Sequence, residues 1–210
     1  MKNNLTVEGI INYIETSVKG LIFDMDGTLT DSNPAHLLAW SHACRHFGME
    51  YPKDKFYYYA GLSSLKIAKD LVKESGMTGR VDPEKLSALK EKEFHKVEEM
   101  VKPVPEVLAL VKCFHRRMPI SVGTGRRRTS AIRTLENLDL LKYFDIVVTS
   151  DDVKNHKPHP DTFLECARRM GVAPEKCLVF EDAERGLEAA RRAGMQVVDV
   201  RPWLPPMDLS

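Results

Sequence analysis

The chain has 210 residues, 43% of them hydrophobic and 29% charged, and its 31 Lys and Arg against 30 Asp and Glu give a net charge of +1. That is an ordinary globular composition, long enough to bury roughly 70–75% of the unfolded surface as one domain or one domain with an insertion, and it argues against a dedicated nucleic-acid binder, which is normally strongly basic. No apolar run reaches the 18 residues a membrane span needs, and Cys44, Cys113, Cys166 and Cys177 form no C-x-x-C or zinc spacing, which predicts free thiols in a reducing cytoplasm.

The first 18 residues lack a signal-peptide core, because Glu8, Asn12 and Glu15 interrupt their apolar residues. Val7, Ile10, Ile11, Ile14 and Val18 recur at helical spacing behind Thr6, a suitable N-cap. This predicts an added amphipathic helix packed on the domain or on a partner chain. The next run, Leu21–Met25, predicts a buried strand that breaks into Asp24-Met25-Asp26-Gly27-Thr28. Alternation along that strand would turn Asp24 and Asp26 to the same side. Two carboxylates ~4 Å apart at an effective dielectric of ~20 repel by ~4 kcal/mol. A hard cation relieves this, and Mg²⁺ suits the role, since it takes oxygen ligands and commonly shares its sphere with phosphate. The same stretch also reads as a polar turn after a strand. An EF-hand calcium loop fails, because its fifth, sixth and twelfth positions counted from Asp24 are Thr28, Leu29 and Ala35, where Asp or Asn, Gly and Glu are required.

From Pro34 to Val101 no strand pattern occurs. One amphipathic helix carries Leu37, Trp40, Cys44 and Phe47, and a second carries Leu65, Ala68, Leu71 and Val72. A third starts at Asp82-Pro83 and carries Leu86, Leu89, Glu93, Val97 and Met100. Thr30–Pro34 and Lys102–Pro105 flank this block as short linkers. Beyond it, strands over Ile120–Gly123, Asp145–Thr149, Leu178–Phe180 and Gln196–Val200 alternate with helices over 105–117, 129–142, 160–170 and 183–193. The alternation predicts an α/β fold, a doubly wound parallel sheet with a helical insertion after its first strand.

Ligands of an open α/β sheet sit beyond the carboxyl ends of its strands. Four of the five runs lead there into reactive residues: Asp24 with Asp26, Gly123-Thr124-Gly125-Arg126, Lys157-Pro158 and Glu181-Asp182. Each has a plain explanation alone. Thr124 could be a helix cap, Lys157 a surface lysine, and Glu181-Asp182 the acids that open a helix. Gly123-Thr124-Gly125 is not a dinucleotide fingerprint, because residue 128 is Arg, and no Gly-Lys-Ser/Thr completes a phosphate-binding P-loop. Asp151-Asp152 reads as a solvated loop. Arg126 and Arg127 read either as a grip on a second anionic group of a ligand or as a helix N-terminus facing solvent.

In that order, DMDGT, the Thr after the second strand, Lys-Pro and ED resemble the haloacid dehalogenase-type phosphohydrolases over roughly Gly20 to Val200. The helical insertion is similar to the cap of their β-phosphoglucomutase-like subgroup. The resemblance implies a Rossmann-like core over 1–33 and 103–210, with residues 1–18 added, and an all-helical cap over 34–102. It implies Mg²⁺ and an aspartyl-phosphate intermediate. Asp24 would be the nucleophile and Asp26 the general acid and base, its backbone carbonyl also a metal ligand. Thr124 and Gly125 would hold the phosphoryl group, Lys157 would neutralise it, and Asp182, with Glu181 less directly, would complete the metal sphere. A His at the position of His36 touches substrate or general acid in the subgroup; a half-buried helical His is the alternative. The implied ligand is a small phosphate ester, such as fructose 1-phosphate or 6-phosphogluconate, with no nucleic-acid or membrane partner, and the chain is expected as a monomer or weak homodimer. The cap loop Tyr59–Ser64 has Ala60 and Ser64 where mutases of the subgroup carry basic residues, which favours hydrolysis over phosphosugar mutase activity. A non-catalytic phosphate-ligand binding protein is the remaining alternative.

Overall fold

A computed structural model describes residues 6–207, so the first five residues of the expected N-terminal segment lie outside the described residues. Helix α1, Val7–Ser17, starts where Thr6 Oγ1 accepts the Gly9 N–H, and it buries Ile10 and Ile14. The sheet that follows has five parallel strands: β1 (Gly20–Phe23), β4 (Ile120–Gly123), β5 (Ile146–Val148), β6 (Cys177–Glu181) and β7 (Gln196–Asp199), in the order β5-β4-β1-β6-β7. Strands covered on both faces read as continuous apolar runs, and β1 is buried at every position. Leu21 and Phe23 pack on one face with α1, α6 (Pro105–Phe114) and α7 (Arg128–Asn137). Ile22 packs on the other with α8 (Asp161–Met170) and α9 (Glu184–Arg192). The N-terminal helix therefore packs on its own domain.

Between β1 and α6 lie α2 (Asn33–His46), α3 (Phe56–Tyr59), α4 (Ser64–Glu74) and α5 (Pro83–Lys96). Trp40, Tyr51, Phe56, Tyr59, Leu71 and Leu86 gather into a second hydrophobic cluster there. The expected linkers are not free segments. Thr30–Asp31 (β2) and Lys102–Pro103 (β3) pair as a two-stranded antiparallel ladder, and α2 begins at Asn33. Each strand is two residues long, too short to leave a periodic signal in the sequence.

Two further expectations change. The buried stripe of α5 is Leu86, Lys90 and Phe94, continued by Glu98 beyond its end, while Met100 is 50% exposed. A four-residue step replaces the mixed three-and-four step read from Leu86, Leu89, Glu93, Val97 and Met100, because buried lysine and glutamate stand where apolar residues were sought. Asp152 is not solvated. It accepts hydrogen bonds from Thr149 N and Oγ1 (2.8 and 2.7 Å) and pairs with Arg128 and Arg169 (2.7 and 2.8 Å). Arg128, part of the basic run after Thr124, is thereby used to close the β5 end of the sheet. All four cysteines are free, and three are buried. Among the described residues no helix is long and apolar enough to cross a membrane.

Candidate active site

Strand β1 lies mid-sheet, flanked by β4 and β6, so the residues just past its carboxyl end look into the crevice of the fold. Regular pairing stops at Phe23, and Asp24 N still donates to Phe180 O at 2.9 Å. The chain then turns, with Gly27 at φ +78 and its N–H donating to Thr30 O. Asp24 and Asp26 thus reach one pocket through this turn and not by strand alternation, since both lie beyond the strand. A Cβ on Gly27 would fall 2.1 Å from Asp182 Oδ2, and one on Gly186 would fall 1.9 Å from Glu181 Oε2, so backbone closes around the acids where no side chain fits.

Asp24, Glu181 and Asp182 are all buried, and one ligand atom from each lies within 4.8 Å of the others. Lys157 enters among them from the loop before α8. Its ammonium donates to Asp24 Oδ1, to Glu181 Oε2 at 2.7 Å and to Gly123 O at 3.2 Å. Glu181 is occupied further, as Oε1 accepts the N–H groups of Asp182 and Ala183. It therefore anchors Lys157 and the start of α9 as well as facing the cluster. Asp182 accepts from Thr28 Oγ1 at 3.2 Å and from Asn33 Nδ2 at 3.5 Å. Burial first, and Glu181 next, push the Asp24 carboxyl up to about 8 against the pull of Lys157. Burial with Glu181 and Asp24 also raises Asp182 well above the usual range. One ammonium among three buried carboxylates leaves an acid surplus that a hard cation with oxygen ligands fits.

Asp26 has the opposite surroundings. Ser32 Oγ donates to its Oδ1 at 2.7 Å, Arg126 Nη1 lies 3.4 Å from the same oxygen, and His36 Nε2 lies 3.0 Å away but off the direction of a formed hydrogen bond. Burial alone would raise Asp26, but His36, Arg126 and Ser32 hold it well below the ordinary carboxylate range. Burial and Lys90 lower the His36 imidazole against the pull of Asp26.

Thr124 is buried at the end of β4, where its Oγ1 accepts the Arg126 N–H at 3.1 Å, and it lines the pocket with Gly125. Arg126 is only 7% exposed and not at a solvent-facing helix end. The structure does not bring Arg127 to this pocket: it is exposed at the N-cap of α7 and borders a separate groove with Glu84 and His95. Its neighbour Arg126 turns inward, and the extended N-cap backbone carries the next side chain to the other side. Asn33 and Lys90 also line the pocket and Phe94 packs beside it, although no motif marks any of the three in the sequence. Lys90 lines the pocket, is 2% exposed and is held by Glu91 at 3.1 Å beside the rings of Trp40 and Phe94. The 86-90-94 spacing could have shown that a lysine sits on a buried stripe.

The haloacid dehalogenase-like hydrolase family model matches residues 21–200. The chain belongs to that family. It is 44% identical over 183 residues to the fructose-1-phosphate phosphatase YqaB of Escherichia coli, covering 87% of this chain and 96% of that one. It is 33% identical to a phosphorylated carbohydrates phosphatase of Thermotoga maritima, covering 85% and 83%. Its fold superposes on β-phosphoglucomutase of Clostridium difficile with a TM-score of 0.79 at 23% identity, covering 87% of this chain and 84% of the other. This chain is thus a haloacid dehalogenase-like hydrolase on a Rossmann-like α/β core.

Proposed function

We propose that the chain is a Mg²⁺-dependent phosphatase of small sugar phosphates that works through a phosphorylated Asp24. The observation that carries this reading is the buried Asp24 carboxylate, gripped by Lys157 and grouped with Asp182 and Glu181 at a pocket shared with Thr124 and Asp26. In the first half-reaction an Asp24 oxygen attacks phosphorus, the P–O ester bond breaks, and Asp26 gives its proton to the departing alcohol oxygen. In the second, Asp26 takes a proton from water as that water attacks phosphorus, and Asp24 is released with inorganic phosphate. The resting surroundings of Asp26 favour its charged form; a phosphate dianion entering the pocket opposes that and readies the acid form. Thr124 and the Gly125 N–H hold phosphoryl oxygens, and Lys157 offsets the charge gathered on them.

Side chains of Asp24 and Asp182, with the Asp26 carbonyl and Glu181 in support, would hold Mg²⁺. When bound there it draws off charge from the phosphoryl oxygens. Residues 34–102 would act as the cap over a core of 1–33 and 103–210, and His36 and Arg126 would meet the substrate side of Asp26. Sugar phosphates as substrates rest on the Escherichia coli and Thermotoga relatives. Four free thiols support a reducing cytoplasm. A monomer or weak homodimer is the expected assembly.

A phosphosugar mutase is the second reading. Lys90 in the cap wall favours it, while the lack of basic residues in Tyr59–Ser64 favours hydrolysis. A sugar-phosphate panel with Mg²⁺ decides. Release of inorganic phosphate from fructose 1-phosphate or a similar ester supports the phosphatase. Glucose 6-phosphate accumulating from β-glucose 1-phosphate overturns it.

A further inference from the structure

Ser32 and Arg126 hydrogen-bond one oxygen of Asp26, His36 lies beside that oxygen, and the other oxygen is left alone. Ser32, His36 and Arg126 all approach Oδ1, and Oδ2 accepts no hydrogen bond among the described residues. Two of those groups rest on the same ring. The His36 imidazole stacks on Phe94 with centroids 4.4 Å apart and planes 23° apart, and the Arg126 guanidinium carbon lies 4.5 Å from the Phe94 centroid. Phe94 is fully buried and belongs to α5, whereas Arg126 follows β4 on the sheet side of the pocket.

The Arg126 backbone is tied at both its N–H and its carbonyl. Its N–H donates to Thr124 Oγ1, and its carbonyl accepts from Ser150 N and Oγ at 2.9 and 3.0 Å. Its side chain is set by Asp26, by Ser130 Oγ at 2.5 Å and by the ring. Ser130 in turn donates to Glu91 of α5 at 3.0 Å. The aim of Asp26 therefore depends on where α5 sits.

We infer that Phe94 is a positioning residue: its ring seats His36 and Arg126 so that they clamp Asp26 Oδ1 and leave Oδ2 free for the leaving oxygen. Docking of the helical segment and aiming of the proton donor become one event. This rests on the proposed general-acid role of Asp26 and adds to it a residue that touches neither substrate nor metal.

Leaving-group chemistry separates this from simple packing. A sugar alkoxide needs a proton as it departs, while p-nitrophenolate leaves without one. Rapid-quench measurement of the first phosphoryl transfer, with Mg²⁺ and either a sugar phosphate or p-nitrophenyl phosphate, reads the difference. Phe94→Leu and Phe94→Met fill the space without a ring. They are expected to slow transfer from the sugar phosphate about ten- to hundredfold, as small misplacements of a catalytic group do, and to change transfer from the nitrophenyl ester less than about threefold. Arg126→Lys, which keeps charge but loses the planar fork, shifts the ratio of the two rates in the same direction, so the inference is testable even if the Phe94 variants unfold. Equal loss on both esters, or no loss on either, overturns it while the wild-type activity stands. A wild type that transfers no phosphoryl group fells the functional reading and this inference together.

Discussion

Replacing Lys157 with Met removes the ammonium at the centre of the site and keeps much of its length. Lys157 is 2% exposed and touches Asp24, Glu181 and the Gly123 carbonyl. Without it, three carboxylates stay buried with ligand atoms within 4.8 Å of one another. A charged pair at that spacing repels by about 3.5 kcal/mol at an effective dielectric of about 20, and stripping one partner from a buried ion pair costs about 3–5 kcal/mol. At about 2–4 °C per kcal/mol for a chain of this size, Tm should fall by roughly 6–20 °C. Scanning calorimetry in EDTA measures this. The carboxylates can escape by taking up protons, so the loss should shrink at pH 5 and grow at pH 8. kcat should fall about 100- to 1,000-fold, the cost of losing one donor to a developing charge. A variant within 2 °C and threefold of wild type at both pH values would refute the assignment of Lys157 as the counter-charge of Asp24.

Metal-free wild type should lose stability between pH 6.5 and 8. Its raised Asp24 holds a proton that the unfolded chain has already released, so stability falls as pH rises toward about 8, by about 2 kcal/mol over that span at 1.36 kcal/mol per proton and pH unit. Calorimetry with saturating Mg²⁺ should flatten the trend, and a flat profile in EDTA would count against the strained acid cluster. Gly27→Ala forces a Cβ to 2.1 Å from Asp182 at a positive φ; about 2 kcal/mol or more of stability and most Mg²⁺-dependent phosphate release should go, whereas an active, stable variant would show that the turn yields freely. Asp152→Ala should cost about 3 kcal/mol in urea melts, because Thr149, Arg128 and Arg169 lose a shared acceptor, while kcat/KM stays within about threefold, since Asp152 lies outside the pocket.

The sheet was readable because β1, β4 and β6 are buried on both faces and so are written as apolar runs, broken in β4 only by Ser121, and the ends of those runs carry Asp24, Thr124 and Glu181-Asp182. Gathering Lys157 with Asp24 and Glu181 follows from the strand order, which sets β1 between β4 and β6, whereas the strand–helix alternation implies only that the strands are parallel. What could not be read lies across the junction of sheet and insertion. Phe94 meets Arg126 and His36 through a packing of α5 that no local spacing encodes, and the β2–β3 pair is too short to show a period. Arg126 and Arg127 are chemically alike in sequence, and only the backbone at the start of α7 sends one inward and the other out.

In the proposed reaction Asp24 carries the phosphoryl group. Acid-quenched protein in steady turnover with Mg²⁺ and a sugar phosphate, digested and weighed by mass spectrometry, tests it directly. One added phosphoryl mass is expected on the peptide that contains Asp24, absent from Asp24→Asn. Rapid phosphate release by Asp24→Asn, or a phosphoryl group on any other residue, would contradict it.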